Sequence, residues 1–98
     1  MNRKPASRLL KAMGDETRLR IIQLLLGGEQ CACALVPSTG KAQPTVSRHL
    51  KILENFGVVK SRRDGVNIWY KIKSNHAKRI MEELGVKKTG NRCPSPQC

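Results

Sequence analysis

The sequence predicts a small α+β domain that is mainly helical, with the element order ααααββα. Two patterns indicate this class. Apolar residues recur at helical spacing over most of the chain, and Ile68, Tyr70 and Ile72 alternate with their neighbours at the period of two that a strand requires. A chain of 98 residues suits one domain. We place this domain at residues 1–88 and expect residues 89–98 to form a flexible tail that contains cysteines.

The first two helices are separated by Gly14. We expect the first helix over residues 7–13. Asp15 is a suitable N-cap for the second, because a carboxylate accepts a hydrogen bond from the free N–H groups of a first helical turn. Apolar residues continue at helical spacing as far as Leu26, and the pair of glycines that follows predicts the end of the second helix.

Two further helices, a hairpin and a last helix complete the predicted domain. The short third helix covers about residues 31–36 and is expected to stop at Pro37, which lacks a backbone N–H. The fourth helix runs from Gln43 to Asn55. Asp64-Gly65 is a hairpin turn signal, and the last helix runs from its N-cap Ser74 to Leu84.

A pair of short helices joined by a tight turn and followed by a hairpin is typical of a winged helix-turn-helix, which binds double-stranded DNA. The second helix of the pair and the hairpin would carry the side chains that contact DNA. Arg and Gln can make two hydrogen bonds to one base edge, and hydroxyl groups reach bases or phosphates. The candidate DNA-binding residues are therefore Gln43, Thr45, Ser47, Arg48, His49 and Lys51 on the helix, with Arg62 and Arg63 on the hairpin.

The charge distribution supports a nucleic-acid partner. The chain has a net charge of +12, and residues 41–79 hold ten Lys/Arg against the two acids Glu54 and Asp64. A basic surface that coincides with the predicted reading helix and hairpin favours polyanion binding. The aromatic content of 3% disfavours proteins that stack single-stranded bases on aromatic side chains.

Four cysteines form two pairs, Cys31/Cys33 and Cys93/Cys98. No apolar run is long enough to cross a membrane and no signal peptide is evident, so we expect a cytoplasmic protein that makes no membrane contact. In a reducing compartment the cysteines should be thiols, which favours metal or metalloid ligation, or redox chemistry, over structural disulfides. Residues two apart on a regular helix point about 200° apart. The third helix must therefore begin or distort at Cys31/Cys33 if both sulfurs are to bind one ion.

Several runs resemble one known family. Gly14–Ile22 resembles the second-helix signature of the ArsR/SmtB metalloregulatory repressors, and Gln43–Leu53 resembles their recognition helix. Their wing is resembled by Gly57–Val59 and by Arg62–Gly65 with Trp69–Tyr70. The resemblance implies a homodimer joined through its first and last helices, which binds an operator of two-fold symmetry and releases it when an inducer binds.

One position departs from the family pattern. Ala42 stands where the family usually has a Ser as the N-cap of the recognition helix. Either Thr39 or the backbone of Lys41 compensates, or the helix begins slightly later.

The segment Glu29–Leu35 resembles the metal box of the family, an acid-x-Cys-x-Cys-acid-Leu pattern. Ala34 replaces the second acid, and Val36 stands where the arsenic-responsive version often has a third Cys. We therefore expect a tail cysteine, from the same chain or from the dimer partner, to complete the site. The candidate ligands are Cys31, Cys33, Cys93 and Cys98. Three thiolates around a pyramidal ion favour As(III) or Sb(III) as the inducer, and Cd(II), Pb(II) and Zn(II) also suit sulfur ligands.

Three other functions compete with this interpretation. A cadmium/lead-responsive repressor, or one that responds to thiol oxidation or persulfides, would use the same fold. A constitutive architectural DNA-binding protein would leave the cysteines idle. A thiol oxidoreductase is disfavoured because the chain lacks βαβ context and a base beside the thiol, so we do not expect an enzyme. The last helix has His76 but not the paired ligands of the zinc-responsive members, and we predict no zinc site there.

Overall fold

The computed structural model of the protein describes residues 1–86, so the domain boundary expected at residue 88 and the cysteine tail lie outside the described residues. The described part contains α1 (Arg3–Met13), α2 (Glu16–Leu25), β1 (Gln30–Cys31), α3 (Ala32–Thr39), α4 (Gln43–Asn55), β2 (Val59–Asp64), β3 (Asn67–Ile72) and α5 (Asn75–Glu83). The predicted winged helix-turn-helix is confirmed, with one short strand added between α2 and α3.

Side-chain caps fix the starts of two helices where the sequence predicts them. Asp15 accepts a hydrogen bond from the backbone N–H of Arg18 at 3.0 Å, and Ser74 accepts one from Ala77 at 3.1 Å. Each cap satisfies an N–H group that has no partner within its helix. α1 begins at Arg3, four residues earlier than expected, because Pro5 lies in its first turn and interrupts no intrahelical hydrogen bond there.

The prediction that Pro37 stops the third helix is wrong, since α3 continues to Thr39. Proline already has a helical φ and removes only one N–H donor from this short helix. Thr39 stabilises the last turn, because its hydroxyl lies 2.7 Å from the carbonyl oxygen of Leu35 and donates to it. The helix ends instead at Gly40, which adopts the left-handed φ of 71°.

The three strands form an antiparallel sheet in the order β1-β3-β2. β2 and β3 form the wing, and Asp64 pairs with Asn67 across a two-residue turn. Gly65 has a φ of 64° at the first turn position, as in a type II′ turn. β1 contains only two residues and places Cys31 opposite Trp69. A strand this short has no periodicity that a sequence pattern could reveal.

A single hydrophobic core holds α4, the helix predicted to contact DNA, against the neighbouring helices. Leu50 and Leu53 on α4 are fully buried, as are Ile21 and Ile22 on α2 and Met81 on α5. The inner side of α4 is therefore fixed against the domain, and its outer side is left for a partner. Between residues 1 and 86, none of the helices is both long and apolar enough to span a bilayer.

Candidate DNA interface and thiol pair

The outer side of α4 presents most of the residues predicted to bind DNA. Gln43, Ser47, Arg48 and Lys51 are exposed, and Thr45 is half-buried. This division follows from the spacing of the buried side chains Val46, Leu50 and Leu53, which repeat every three or four residues on the inner side. The structure thus brings five of the six predicted positions together at the N-terminal half and outer side of one helix.

The N-terminus of α4 has no side-chain cap. Ala42 makes no capping hydrogen bond. The Thr39 hydroxyl donates to the carbonyl of Leu35 at the end of α3 and accepts a hydrogen bond from the backbone N–H of Lys41 at 3.3 Å. The compensation expected from Thr39 therefore does not occur at α4, although the helix still begins at Gln43. Backbone N–H groups at a helix start favour an anion such as a DNA phosphate.

His49 differs from the other candidates on α4, because the structure buries it. Only 9% of the residue is exposed, and its Nδ1 accepts a hydrogen bond from the Arg18 guanidinium at 3.2 Å. The Asp15 carboxylate lies 4.0 Å from the same nitrogen. His49 follows the exposed Arg48 by one helical position, which is a rotation of about 100° and places it against α2. The ring therefore connects two helices and does not belong to the exposed side that is predicted to contact DNA.

Burial also favours the neutral form of His49. Desolvation lowers the pKa of the ring and the nearby Arg18 cation lowers it further, whereas the Asp15 carboxylate opposes both effects. The neutral ring supplies the acceptor lone pair that the Arg18 guanidinium requires. The pKa of Asp15 is itself lowered, chiefly because its carboxylate accepts the backbone hydrogen bond of Arg18.

The two wing arginines have different environments. Arg63 is exposed and forms no ion pair among the described residues. Arg62 donates from Nε and Nη2 to the two carboxylate oxygens of Glu29, at 2.9 and 2.8 Å, and its guanidinium lies 5.6 Å from the ring centroid of Trp69. This ion pair lowers the pKa of Glu29 and raises that of Arg62, in each case chiefly through their hydrogen bonds.

The sequence places Glu29 at the start of the segment that resembles the metal box, but its contact with the wing is a feature that sequence reasoning missed. Glu29 is one of only seven acids in a strongly basic chain, and it lies two residues before Cys31. The scarcity of acids is the sequence feature that could have singled out Glu29. Its partner on the wing could not be identified without the sheet register, because 33 residues separate Glu29 from Arg62.

Cys31 and Cys33 lie where β1 joins α3. Cys31 is the N-cap of α3, with φ −80° and ψ 154°, and is fully buried, whereas Cys33 is exposed. Because Cys31 is extended, the angular separation expected of two helical residues does not apply, and the two sulfurs converge. The predicted requirement that the helix begin at this pair is met.

The two sulfurs are joined in a disulfide, with a Cα–Cα distance of 5.3 Å. The expectation that both cysteines are thiols is therefore not met by this structure. The reason is geometric, since the turn from β1 into α3 brings the sulfurs within bonding distance. Reduction of this bond would leave two thiols side by side, a donor pair that suits a soft ion.

The described residues supply two sulfur ligands but not a complete metal site. Within residues 1–86, no group of three or more His, Cys, Asp or Glu side chains is placed to hold an ion. Cys93 and Cys98, the predicted additional ligands, lie outside the described residues.

An open groove connects the thiol pair with the reading helix. Cys33 and Val36 of α3, Gln43 and Ser47 of α4, and Tyr70 of the wing line the same groove. A change of bonding at Cys33 would therefore occur beside two of the residues predicted to contact DNA.

Relatives of the chain are regulators of transcription. The profile of the bacterial regulatory proteins of the arsR family matches residues 15–61. An arsenical resistance operon repressor from Staphylococcus aureus is 41% identical over 96 residues, which cover 95% of this chain and 90% of the relative. Other relatives are named for resistance to cadmium and mercury.

Solved structures of similar proteins share the fold. Reduced HlyU from Vibrio cholerae has a TM-score of 0.79 and 33% identity, over 83% of this chain and 85% of that one. A homodimeric winged helix-turn-helix domain from Mycobacterium bovis, described as a possible ArsR-family regulator, has a TM-score of 0.77 and 31% identity, over 85% of this chain and 77% of that one. Together with the exposed basic side of α4 and the wing, these similarities show that the chain belongs to the ArsR family of DNA-binding transcriptional regulators.

Proposed function

We propose that the protein is a homodimeric repressor that binds double-stranded operator DNA and releases it when its cysteines capture trivalent arsenic or antimony. The observation that carries this proposal is the convergence of the Cys31 and Cys33 sulfurs at the start of α3, beside the groove that reaches α4. The similarity to an arsenical resistance operon repressor over 95% of the chain supports arsenic as the inducer.

DNA binding uses the outer side of α4 and the wing. Gln43, Ser47, Arg48 and Lys51 are exposed on α4, and Thr45 lies at its first turn. Arg48 and Gln43 have the donors that read base edges, and the hydroxyl groups and Lys51 suit phosphates or bases. Arg62 and Arg63 contact the backbone or the minor groove from the wing. His49 supports this surface from behind through Arg18.

The homodimer gives the interface its two-fold symmetry. A pair of reading helices on one axis matches a DNA site with two inverted halves. The homodimeric domain from Mycobacterium bovis supports this assembly. Leu10 on α1 and Leu84, which follows α5, are 56% and 64% exposed in the single chain and are suited to such an interface.

Inducer capture requires reduced thiols. Arsenous acid exchanges its three hydroxyl groups for three cysteine thiols. Each hydroxyl leaves as water with the proton of one thiol, so that three As–S bonds replace three As–O bonds. Cys31 and Cys33 provide two of the sulfurs, and Cys93 or Cys98 provides the third, from the same chain or from its partner. Bond formation at Cys33 changes the start of α3 and, through the shared groove, the position of α4.

The disulfide favours a second candidate, a repressor that responds to oxidation of the same pair. In that case hydrogen peroxide would oxidise two thiols to the Cys31–Cys33 disulfide and would itself be reduced to two molecules of water. The existing bond between the two sulfurs is the specific observation behind this alternative.

A fluorescence anisotropy titration distinguishes the two candidates. The full chain is reduced and bound to a labelled duplex carrying an operator selected from random DNA, and As(III), Sb(III), Cd(II), Pb(II), Zn(II) or hydrogen peroxide is added. We expect arsenite and antimonite to release the DNA at the lowest concentrations. Release by peroxide alone would overturn the metalloid assignment in favour of the redox one, and release by cadmium or lead alone would reassign the ion.

Cysteine variants provide the matched controls. Cys31→Ser and Cys33→Ser should bind the duplex as the wild type does but should not release it with arsenite. The double variant Cys93→Ser/Cys98→Ser should need much more arsenite, because the third sulfur is absent. A double variant that responds like the wild type would exclude the tail cysteines from the site.

A further inference from the structure

The ion pair between Arg62 and Glu29 connects the wing with the segment that carries the thiols. Both Glu29 oxygens accept hydrogen bonds from the Arg62 guanidinium, at 2.8 and 2.9 Å. A bidentate pair of this kind fixes the orientation of both side chains as well as their separation. Glu29 directly precedes β1, and its side chain is 28% exposed.

The sheet register places this pair over the row that contains Cys31. Arg62 lies opposite Trp69 on β3, and Trp69 lies opposite Cys31 on β1. Directly opposed residues project from the same face of a sheet, and the outer strands of three lie about 10 Å apart. The Arg62 guanidinium spans this distance over the Trp69 ring, at 5.6 Å from its centroid. One sheet row thus contains a wing arginine, an indole and a cysteine of the thiol pair.

Arg62 can still bind a phosphate while it is paired with Glu29. A guanidinium has five N–H donors, and Glu29 occupies two of them. The side chain of Arg62 remains 53% exposed. Glu29 therefore fixes the direction in which the free donors of Arg62 point, and a shift of Glu29 would redirect them.

We propose that Glu29 is the positioning residue that transmits the bonding state of Cys31 and Cys33 to the DNA-binding wing through Arg62. This inference rests on the proposed function, since it explains how capture of an inducer at the thiols weakens the grip on DNA. The Arg62–Glu29 pair is intact with Cys31 in the disulfide. A different bonding at Cys31 would displace β1, Glu29 would move with the strand, and Arg62 would lose the partner that orients it.

The test compares Glu29→Gln with the matched control Asp64→Asn. Both changes remove one negative charge near Arg62, but the Asp64 carboxylate is 3.9 Å from Arg62 Nη1, is 70% exposed and lies on the wing itself. The measured quantity is the ratio of the duplex Kd with saturating arsenite to the Kd without it, on the reduced full chain. Arsenite binding is followed separately by the ultraviolet absorption of arsenic–thiolate bonds.

We expect Glu29→Gln to lower this ratio by at least about fivefold, the smaller end of typical coupling between two sites, with unchanged arsenite binding. Asp64→Asn should keep the wild-type ratio. The emission of Trp69, the only tryptophan of the chain, should respond to arsenite less in Glu29→Gln than in the wild type. A wild-type ratio in Glu29→Gln, or an equal loss in Asp64→Asn, would overturn the proposal, because the pair would then be structural or the effect would be one of charge alone.

A separate arm distinguishes this proposal from the proposed function. If arsenite binds to the wild type without releasing DNA, the arsenic assignment fails, and the ratio is then measured between the disulfide and dithiol forms of each protein. A smaller ratio in Glu29→Gln than in Asp64→Asn would still support the route through Arg62. A wild-type protein whose DNA affinity responds to neither treatment would overturn both proposals.

Discussion

Arg18 donates a hydrogen bond to Nδ1 of His49 over 3.2 Å and so connects α2 with the reading helix α4. The same guanidinium donates from Nε to the backbone carbonyl of Ala12 at 2.6 Å, at the end of α1. One cation thus connects three helices on the inner side of α4, opposite the surface predicted to bind DNA. Because the bond to His49 needs a lone pair on Nδ1, this arrangement depends on the neutral form of the ring.

Acidification should therefore destabilise the protein through His49. Burial lowers the pKa of the folded ring below that of the unfolded chain, so the unfolded state binds more protons and the free energy of unfolding rises with pH across this interval. The contribution is complete above the ordinary histidine pKa of about 6.5 and is lost as the pH falls from there toward the lower value of the folded state. Urea unfolding between pH 7.5 and 5 measures it.

A pair of variants assigns this pH dependence. His49→Gln should show a shallower loss of stability on acidification, although it is less stable at neutral pH. His76→Gln, at an exposed position on α5, should retain the wild-type profile. A His49→Gln profile as steep as that of the wild type would show that other groups carry the effect.

Arg48 and His49 are adjacent in sequence and should behave oppositely. Arg48 is exposed on α4, so Arg48→Ala should weaken duplex binding by about 1–3 kcal/mol, the usual value of a side chain that reads a base edge. The free energy of unfolding should hardly change. His49→Ala should instead lower stability, because it leaves the buried donor of Arg18 without its acceptor. Anisotropy and urea unfolding on both variants separate the two roles, and equal stability losses would contradict them.

Sequence patterns predicted α4 because its apolar positions repeat over three turns and define which side is buried. They did not predict that His49 lies on that buried side. The position lies three residues after Val46 and four before Leu53, so its spacing fits the apolar stripe, and the hydrogen bond with Arg18 on another helix satisfies the ring there. Charge and side-chain chemistry alone placed it with its exposed neighbours.

The sequence also did not predict the end of α3 or the existence of β1, and the cause there is different. Pro37 is a strong local signal for a helix end, yet the Thr39 hydroxyl and the left-handed Gly40 carry the helix three residues further. The two-residue strand β1 exists only because β3 is beside it. The convergence of Cys31 and Cys33, and the contact between Glu29 and Arg62, follow from that strand and are tertiary properties.

The cap at Asp15 should be measurable as a loss of stability. Its carboxylate accepts the backbone hydrogen bond of Arg18 at the first turn of α2. Removal of such a cap typically costs about 0.5–2 kcal/mol. We expect Asp15→Ala to lower the free energy of unfolding by an amount in this range, whereas Asp15→Asn, which keeps a capping oxygen, should lower it less. Equal losses would indicate that charge near Arg18 and His49 dominates over the cap.

The salt dependence of duplex binding should show whether the wing contacts DNA phosphates. Each phosphate neutralised by a Lys or Arg contributes about 0.9 to the slope of log K against log salt concentration, because binding releases condensed counterions. Arg63 is exposed and forms no ion pair among residues 1–86, so Arg63→Gln should lower the slope by about one such contact and weaken binding to all sequences alike. Arg3→Gln removes the same charge at the start of α1, outside α4 and the wing, and should leave the slope unchanged. Anisotropy titrations from low to moderate salt measure both slopes. Equal reductions in the two variants would mean that net charge, and not a wing contact, governs the binding.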